Sequence, residues 1–435
     1  MSDRSQNNLV LCMIFLGLLL GGVQGVQGIS ADTAIRVVTP AWSISTGYSG
    51  PYGENSGKVS CSYDGERVAV GYGAGIVEIR NRQGDPIGRW QSPQGYYSVW
   101  SVRISRDGRR VVAILNDPMQ ENKGQIVYLN ESGELIWQNP LTVPFGFVDL
   151  SDDGSVVTVT EGDRISFYDR SGNRTGTKVL EGMIWNMALA GDGSYAVAGV
   201  TTRDYSGNLY VIGNDGTVEW FSTTPGKLRA TAVSGNGEYL AGADPEQIRF
   251  FARNGSRIWK FNSSTAVTSL AISSGGEYVA AGAQYYLRYF NREGEVVWRY
   301  DDPVMATRTG AYFNNVAITK NGEFVATTTR ENRTLLFTNQ GEVMSVFESD
   351  TWVTDMCMTG SGNAIVIGTG PEIRYFDTGI SPAPDMKPAP VTTTTAPEPT
   401  AIPSTTKKTP VSVPDILLCL VIVAFITVGF GKGRE

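Results

Sequence analysis

The 435-residue chain contains no histidine. This absence excludes histidine-based acid–base catalysis, Ser-His-Asp and Cys-His nucleophilic sites, and histidine-ligated metals. Charged residues account for only 18% of the chain, and the formal net charge is -7. Because recognition of a phosphate backbone needs a basic surface, no nucleic-acid partner is expected.

Cysteine is scarce as well, with four residues in the chain. Cys12 and Cys419 lie in the two apolar end segments, which leaves Cys61 and Cys357 for the folded part. Two cysteines in several hundred residues do not make a disulfide framework. Glycine (51) and tyrosine (19) are abundant instead, and this composition suits many short strands joined by tight turns.

The N-terminal end has the pattern of an export signal. Residues 9–23 form a near-continuous apolar run behind Arg4, and small residues follow it up to Gly28. We expect residues 1–28 to be a secretory signal peptide that is cleaved near Gly25 or Gly28. An uncleaved N-terminal anchor is the alternative, because the segment before the apolar run is only weakly basic.

The C-terminal end has the pattern of a stalk and a tether. Residues 380–414 are rich in Pro and Thr and are expected to be extended. Residues 415–431 are apolar, and the tail 432–435 carries Lys432 and Arg434, which predicts a cytoplasmic tail and an extracellular main body. The uninterrupted apolar run 416–430 spans roughly 22 Å as a helix, whereas a bilayer core is about 30 Å thick. The segment is therefore a short transmembrane span or a sorting signal that is replaced by a lipid. Both readings predict a membrane-anchored protein at the cell surface.

A turn that ends in glycine recurs eight times between alternating apolar stretches. The spacing of 39 to 46 residues is that of a four-stranded propeller blade, and Asp-Gly or Asn-Gly between such stretches predicts a hairpin. The eight turns are Asp64-Gly65, Asp107-Gly108, Asp153-Gly154, Asp192-Gly193, Asn236-Gly237, Gly275-Gly276, Asn321-Gly322 and Ser361-Gly362.

A second hairpin turn completes seven of these units, and a tryptophan often lies four residues after its glycine, as at Trp137, Trp220, Trp259 and Trp298. Trp90 lies six residues after its glycine, on the same strand face. The eighth unit stops after residue 379 without a fourth strand, and residues 40–45 form an unassigned strand with a tryptophan. We therefore predict an all-β fold, a single eight-bladed β-propeller over residues 34–379 that is closed by an N-terminal strand.

The two kinds of hairpin resemble known repeats. Residues 273–280 look like a WD-type repeat, and residues 128–137 and 209–220 look like repeats of the pyrroloquinoline-quinone-type propeller. As a whole, the chain resembles an archaeal surface protein of this propeller type. The resemblance implies the fold but not one function, because such propellers include enzymes, scaffolds and binding proteins.

Aromatic residues recur in the connections from the fourth strand of one blade to the first strand of the next. In a propeller these connections surround one mouth of the channel, together with the turns between second and third strands. Exposed aromatic clusters favour contacts with proteins or sugar faces, although packing between blades is the alternative for any one residue. The residues predicted to form an aromatic binding mouth are Tyr97, Trp100, Phe145, Trp185, Phe313 and Trp352.

The predicted function is a non-catalytic binding or scaffold module for protein or glycan partners, without a cofactor or metal. The alternative is a quinone-dependent oxidoreductase or a polysaccharide-acting enzyme on the same scaffold. The quinone family uses a carboxylate base and Ca²⁺ ligands, often beside a disulfide between neighbouring cysteines. This sequence has no such cysteine pair. Its loop carboxylates, among them Glu161, Asp204 and Asp244, are scattered. They are expected to form an acidic rim that keeps the protein soluble, and a rim that binds cations or a basic partner is the alternative.

Two further sets of residues carry predictions. Cys61 and Cys357 lie four and five residues before their turn glycines, on opposite strand faces, so buried free thiols are expected rather than a disulfide. With an export signal, at least one Asn-x-Ser/Thr sequon is expected to be glycosylated. The sequons begin at Asn130, Asn173, Asn254, Asn262 and Asn332.

Overall fold

The protein is described by a computed structural model over residues 35–47, 57–93, 98–116, 124–143, 146–302 and 312–381. The predicted signal peptide, almost all of the stalk, the apolar C-terminal segment and the basic tail lie outside these residues. The described residues form 33 β-strands in eight sheets and contain no helix. None of them therefore belongs to a helix that is long and apolar enough to span a bilayer. The predicted all-β, eight-bladed propeller is confirmed.

Each blade contains an antiparallel sheet of four strands, which follow one another in sequence in every blade except the closing one; blade 7 has a fifth strand in addition. The first strands of neighbouring blades contact one another and so surround the central channel. The strands before and within blades 1 to 4 are β1 (Arg36–Val37), β2 (Trp42–Ser45), β3 (Lys58–Cys61), β4 (Arg67–Tyr72), β5 (Ile76–Asn81), β6 (Pro86–Gln91), β7 (Ser98–Ile104), β8 (Arg110–Asn116), β9 (Gly124–Asn130), β10 (Leu135–Leu141), β11 (Val148–Leu150), β12 (Val156–Glu161), β13 (Arg164–Asp169), β14 (Arg174–Val179), β15 (Met183–Leu189), β16 (Tyr195–Thr201), β17 (Gly207–Gly213) and β18 (Val218–Thr224).

Blades 5 to 8 continue in the same order, and blade 1 begins at β3. Blade 8 has only three strands from this part of the chain. The strands are β19 (Ala230–Val233), β20 (Tyr239–Ala243), β21 (Gln247–Ala252), β22 (Arg257–Asn262), β23 (Val267–Ile272), β24 (Tyr278–Ala283), β25 (Tyr286–Asn291), β26 (Val296–Asp301), β27 (Phe313–Ile318), β28 (Phe324–Thr329), β29 (Arg333–Thr338), β30 (Val343–Glu348), β31 (Val353–Met358), β32 (Ala364–Thr369) and β33 (Glu372–Asp377).

The N-terminal strand closes the ring as the sequence predicted. Strand β2 pairs antiparallel with β33, with Trp42 opposite Tyr375 and Ser45 opposite Glu372, and so supplies the fourth strand of blade 8. Strand β1 was not predicted. It pairs in parallel with β30 and makes blade 7 five-stranded. The N-terminal segment therefore joins the last two blades.

The hairpin glycines adopt the backbone conformation that their turns require. All eight glycines of the first turns have φ between 69° and 77°, and the glycines of the second turns have φ between 77° and 92°. Residues other than glycine rarely adopt this region. At seven first turns a Ser or Thr hydroxyl also accepts a hydrogen bond from the amide five residues later, as Ser62 does from Arg67 at 3.0 Å. The repeated glycines thus fix the start of every second strand.

Tryptophans of the outer strands attach five of the eight blades to the blade that follows. At five junctions the indole N–H donates to a backbone carbonyl in the second turn of the following blade, at 3.0 to 3.1 Å; the donor–acceptor pairs are Trp42–Arg82, Trp137–Arg170, Trp220–Arg253, Trp259–Arg292 and Trp298–Asn339. The turn glycine lies against the indole ring, and a Cβ there would lie 2.6 to 3.2 Å from indole atoms. Trp90 has no such role, because Gly88 takes the docking position in its strand and lies against the turn at Ser132 and Gly133.

A belt of backbone hydrogen bonds joins the first turns around the channel. At seven junctions an amide of one first turn donates to a carbonyl of the neighbouring first turn, at 2.7 to 3.3 Å. Arg106 reaches into this end of the channel. Its guanidinium binds Asp152 at 2.8 Å, lies over the Tyr63 ring and reaches the Ser274 hydroxyl of blade 6 at 3.4 Å. A cavity of about 300 Å³ remains among these turns.

The tryptophan junction predicts a large difference between two Trp→Ala substitutions. Trp298 is 9% exposed, whereas Trp352 is 52% exposed. Because Trp298→Ala leaves a cavity and an unpaired carbonyl, we expect it to lower the free energy of unfolding by about 3–5 kcal/mol. Trp352→Ala is the matched control and should cost less than about 1 kcal/mol. Urea denaturation measures both; similar losses in the two variants would contradict the docking role.

Buried tyrosines predict a loss of stability in alkali. Burial raises the pKa of Tyr128 to about 12, and its hydroxyl donates to the Gly154 carbonyl of the next blade at 2.5 Å. The unfolded chain releases this proton near pH 10, so the stabilisation is present below pH 10 and is lost as the pH rises toward 12. Tyr128→Phe should reduce the pH dependence of the unfolding free energy in this range by up to about 1.4 kcal/mol per pH unit. Urea midpoints measured across this range test it, and an unchanged slope would contradict it.

Candidate functional site

The candidate site lies on one face of the ring, which we call the loop face. It is formed by the connections between blades and by the turns between second and third strands. On this face a groove of about 1140 Å³ runs between blades 3 and 4. It is lined by residues 161–164, 180–183, 185 and 201–206, with Thr142, Val143 and Lys227.

Trp185 reaches the groove because the first strand of blade 4 bulges. The pairing of β15 with β16 skips Trp185, between Ile184 and Asn186. A bulge leaves one residue out of the ladder and redirects its side chain. Trp100 is skipped in the same way in β7 of blade 2. The two tryptophans are exposed to 54% and 43%.

Two other blades show what a small residue does at this bulge. Thr268 of blade 6 and Thr354 of blade 8 are skipped in the same way. Their hydroxyls donate hydrogen bonds to backbone carbonyls, Thr268 to that of Phe313 at 2.7 Å and Thr354 to that of Gly368 at 3.1 Å. A tryptophan cannot be accommodated in this way, so the Trp side chains project from the ring.

Backbone contacts hold the groove open in one shape. The Leu180 amide donates to the Asp163 carbonyl and the Ile184 amide to the Gly162 carbonyl, both at 2.9 Å. Gly182 has a φ of 139°, and a Cβ there would lie 2.3 Å from the Thr201 carbonyl oxygen. The wall from blade 3 is therefore fixed against the second strand of blade 4, and a ligand meets a preformed surface.

Tyr205 is the most exposed large apolar residue in the described part of the chain, at 67%. It lies in the turn between β16 and β17 with a φ of 68°, a conformation that costs free energy for an aromatic residue. The Lys227 ammonium lies 4.5 Å from its ring centroid. Hydrogen bonds from Thr202 and Ser206 to Asp204 stabilise the turn and lower the pKa of that carboxyl. The turn thus presents Tyr205 beside Trp185 and the half-exposed Met183.

The predicted aromatic mouth is only partly assembled. Trp100, Trp185 and Trp352 are exposed on the loop face, but only Trp185 lines the groove. The prediction for Phe313 was wrong, because this first residue of β27 is fully buried and packs edge-on against Tyr300, with ring centroids 6.2 Å apart. Tyr97 and Phe145 lie outside the described residues. Tyr205, Met183 and Lys227 were missed, and the Asp204-Tyr205-Ser206 turn was the available signal.

The loop carboxylates mostly have structural partners. Glu161 accepts hydrogen bonds from the Thr142 amide and hydroxyl. Asp244 was expected on an acidic rim, and this was wrong, because it is fully buried and pairs with Arg249 at 3.2 Å. Within the described ranges, no three Asp, Glu or Cys side chains converge on a point that could hold a metal ion.

The predicted glycosylation sites lie at strand ends and turns. Asn130, Asn173 and Asn254 are in or next to second turns, and the side-chain oxygens of Asn130 and Asn254 accept the amide two residues later at 3.0 Å. Asn173, Asn254 and Asn262 are exposed, whereas Asn332 is half-buried and donates to the Asp350 carbonyl. Glycosylation itself stays a prediction.

Comparisons with known proteins support the propeller. Residues 177–353 match the model of a family described as outer membrane protein assembly factor BamB. A search of curated protein sequences gave no match. Among solved structures, the C-terminal WD40 domain of Sif2 is similar with a TM-score of 0.63 and 14% identity, over 79% of this chain and 99% of that one.

The Dos1 propeller is similar with a TM-score of 0.60 and 11% identity, over 79% of this chain and 96% of that one. The propeller domain of Cps50 (Swd1) from Myceliophteria thermophila has a TM-score of 0.50 and 14% identity, over 77% and 99%. At these identities the likeness shows the fold alone: the chain is a β-propeller with WD40-like and BamB-like repeats, and its own sheets give it eight blades.

Proposed function

We propose that the protein is a non-catalytic binding module that takes a segment of a protein partner in the groove between blades 3 and 4. The observation that carries the proposal is the exposed aromatic pair Trp185 and Tyr205 on a wall that backbone hydrogen bonds hold in place. Aromatic residues give large contact areas with few rotatable bonds, so they are frequent at the centres of interfaces.

The surroundings of the aromatic pair favour a peptide-like ligand. Arg203 and Lys227 line the groove together with Glu181 and Asp204, so both signs of charge are available beside an apolar surface. A polypeptide segment offers charged side chains of both signs and backbone groups for hydrogen bonds, whereas a neutral glycan offers hydroxyl groups but no charge that could pair with these residues. WD40 propellers in general bind protein partners, which supports the same choice.

We further propose that the propeller is displayed outside the cell and is tethered by its C-terminal end. The support is in the sequence: the apolar run 9–23, the Pro/Thr-rich stalk, and the apolar segment 415–431 followed by Lys432 and Arg434. The tether and the export signal are independent features that predict the same location.

The binding proposal is tested with the purified full chain and two defined probes, a displayed library of random peptides and a glycan array. We expect enriched peptides whose affinity falls about 10-fold or more in Trp185→Ala and in Tyr205→Ala. Phe221→Ala is the matched control, because Phe221 is exposed on the outer strand β18, away from the loop face.

Three results would overturn this assignment. Peptide binding that is unchanged in both groove variants would move the site elsewhere on the ring. Loss of binding in Trp352→Ala alone would place it beside blade 8. Binding confined to the glycan array would replace the protein partner with a carbohydrate.

The location is tested on intact cells that express the full chain. Added protease should remove the propeller from the cells and leave a small C-terminal fragment, because the body is expected outside and the tail inside. A propeller that is cut only after the cells are broken would contradict surface display, and a control cytoplasmic protein should survive the treatment.

A further inference from the structure

Cys61 and Cys357 lie at the junction where the ring closes. Cys61 is in the first strand of blade 1, and Cys357 is in the first strand of blade 8. Both are free thiols in this structure, as the sequence predicted, but both are half-buried rather than buried. The prediction also treated their opposite strand faces as a reason for separation, and that reasoning was wrong. Two neighbouring blades present opposite faces of their sheets to each other, so the two thiols meet.

The same pair of positions is in contact at two other junctions. The Ile104 amide donates to the Ser60 hydroxyl at 3.1 Å, and the Leu189 amide donates to the Asp149 carboxylate at 3.0 Å. Each acceptor lies five residues before its first-turn glycine, and each donor lies four residues before the glycine of the next blade. Cys357 and Cys61 occupy these two positions at the closing junction. The repeat therefore directs the Cys357 side chain toward residue 61.

Two hydrogen bonds between blades bracket the cysteines. On one side the Val59 amide donates to the Asp355 carboxylate at 3.1 Å, two residues before each cysteine. On the other side the Gly360 amide donates to the Tyr63 carbonyl at 3.0 Å. Both cysteines pack against one apolar cluster built from blades 1 and 8. Burial, and then contact with the Cys61 thiol, raises the pKa of Cys357. The strands that carry the thiols are thus held in place before any bond forms.

We propose that Cys61 and Cys357 form a disulfide bond that covalently closes the ring when the chain meets a low-molecular-weight disulfide. Cys61 lines the channel cavity, so its thiolate attacks the small disulfide first. This gives a mixed disulfide and releases one small thiol. The Cys357 thiolate then attacks the Cys61 sulfur and releases the second small thiol. Two protein thiols lose two electrons and two protons, and one small disulfide takes them up as two thiols.

The cross-link encloses almost the whole propeller in one covalent loop. It therefore restricts the unfolded chain and joins blade 1 to blade 8 independently of the pairing of β2 with β33. Oxidised glutathione is the probe. The full chain is incubated with it, free thiols are alkylated, and the protein is digested with trypsin without reduction.

We expect the tryptic peptides 59–67 and 334–374 to be recovered joined, and to separate on reduction. The thermal midpoint of the oxidised protein should rise by about 5 °C or more. Recovery of both peptides only as alkylated or glutathione-bound species would overturn the proposal. Cys61→Ser is the control: its midpoint should match that of the reduced unmodified protein and should not respond to oxidised glutathione. A rise in this variant would assign the stabilisation to another site and would also overturn the proposal.

Discussion

The structure depends on one repeated junction, in which the outer strand of each blade meets the second turn of the next. Both faces of every blade are apolar, so each blade is stable only between two neighbours. The eight junctions must therefore close into a ring, with blade 8 packed against blade 1. An indole against a turn glycine makes five of them. Where tryptophan is absent the contact takes other forms. Gly88 and Gly176 let the following turn approach backbone to backbone, and Arg36 of β1 covers Gly379. The junction varies in chemistry but preserves the spacing of the blades.

The sequence was sufficient for the architecture, because the glycines that define the turns need a positive φ and recur at the length of a blade. The strand that closes blade 8 was also predictable. The eighth repeat lacked a fourth strand, and the strand-like segment 40–45 belonged to no repeat. Strand β1 was not predictable, because two residues carry no periodic signal.

For the site, sequence spacing placed Trp185 correctly but not Phe313, since a bulge exposes one and the regular ladder buries the other. Such bulges depend on tertiary packing. The contact between Cys61 and Cys357 was not predictable in this way. It depends on which face of blade 8 packs against which face of blade 1, and the sequence pattern of a single strand does not contain this information.

The same backbone that builds the ring also shapes the groove. The groove lies beside the bulge in β15, where Trp185 is left out of the pairing with β16. Backbone hydrogen bonds within and between blades 3 and 4 therefore set the positions of Trp185 and Tyr205. A ligand therefore meets side chains on a rigid base, and little ordering free energy is needed on binding. Specificity in this arrangement lies in a few projecting side chains, which can change without disturbing the junctions between blades.

The pairing of β2 with β33 also sets a waiting time during synthesis. Ser45 leaves the ribosome long before its partner Glu372, and at about 5–20 residues per second the interval is roughly 15 to 65 seconds. During that time the strand must stay unpaired beside a growing, incomplete ring. Serines alternate with Trp42 and Ile44 in this strand, so one of its two sides is polar. The polar side limits non-native contacts with other exposed apolar surfaces. A strand made early is thus paired with the last strand of the ring, and the ring is complete only when synthesis has passed its final blade.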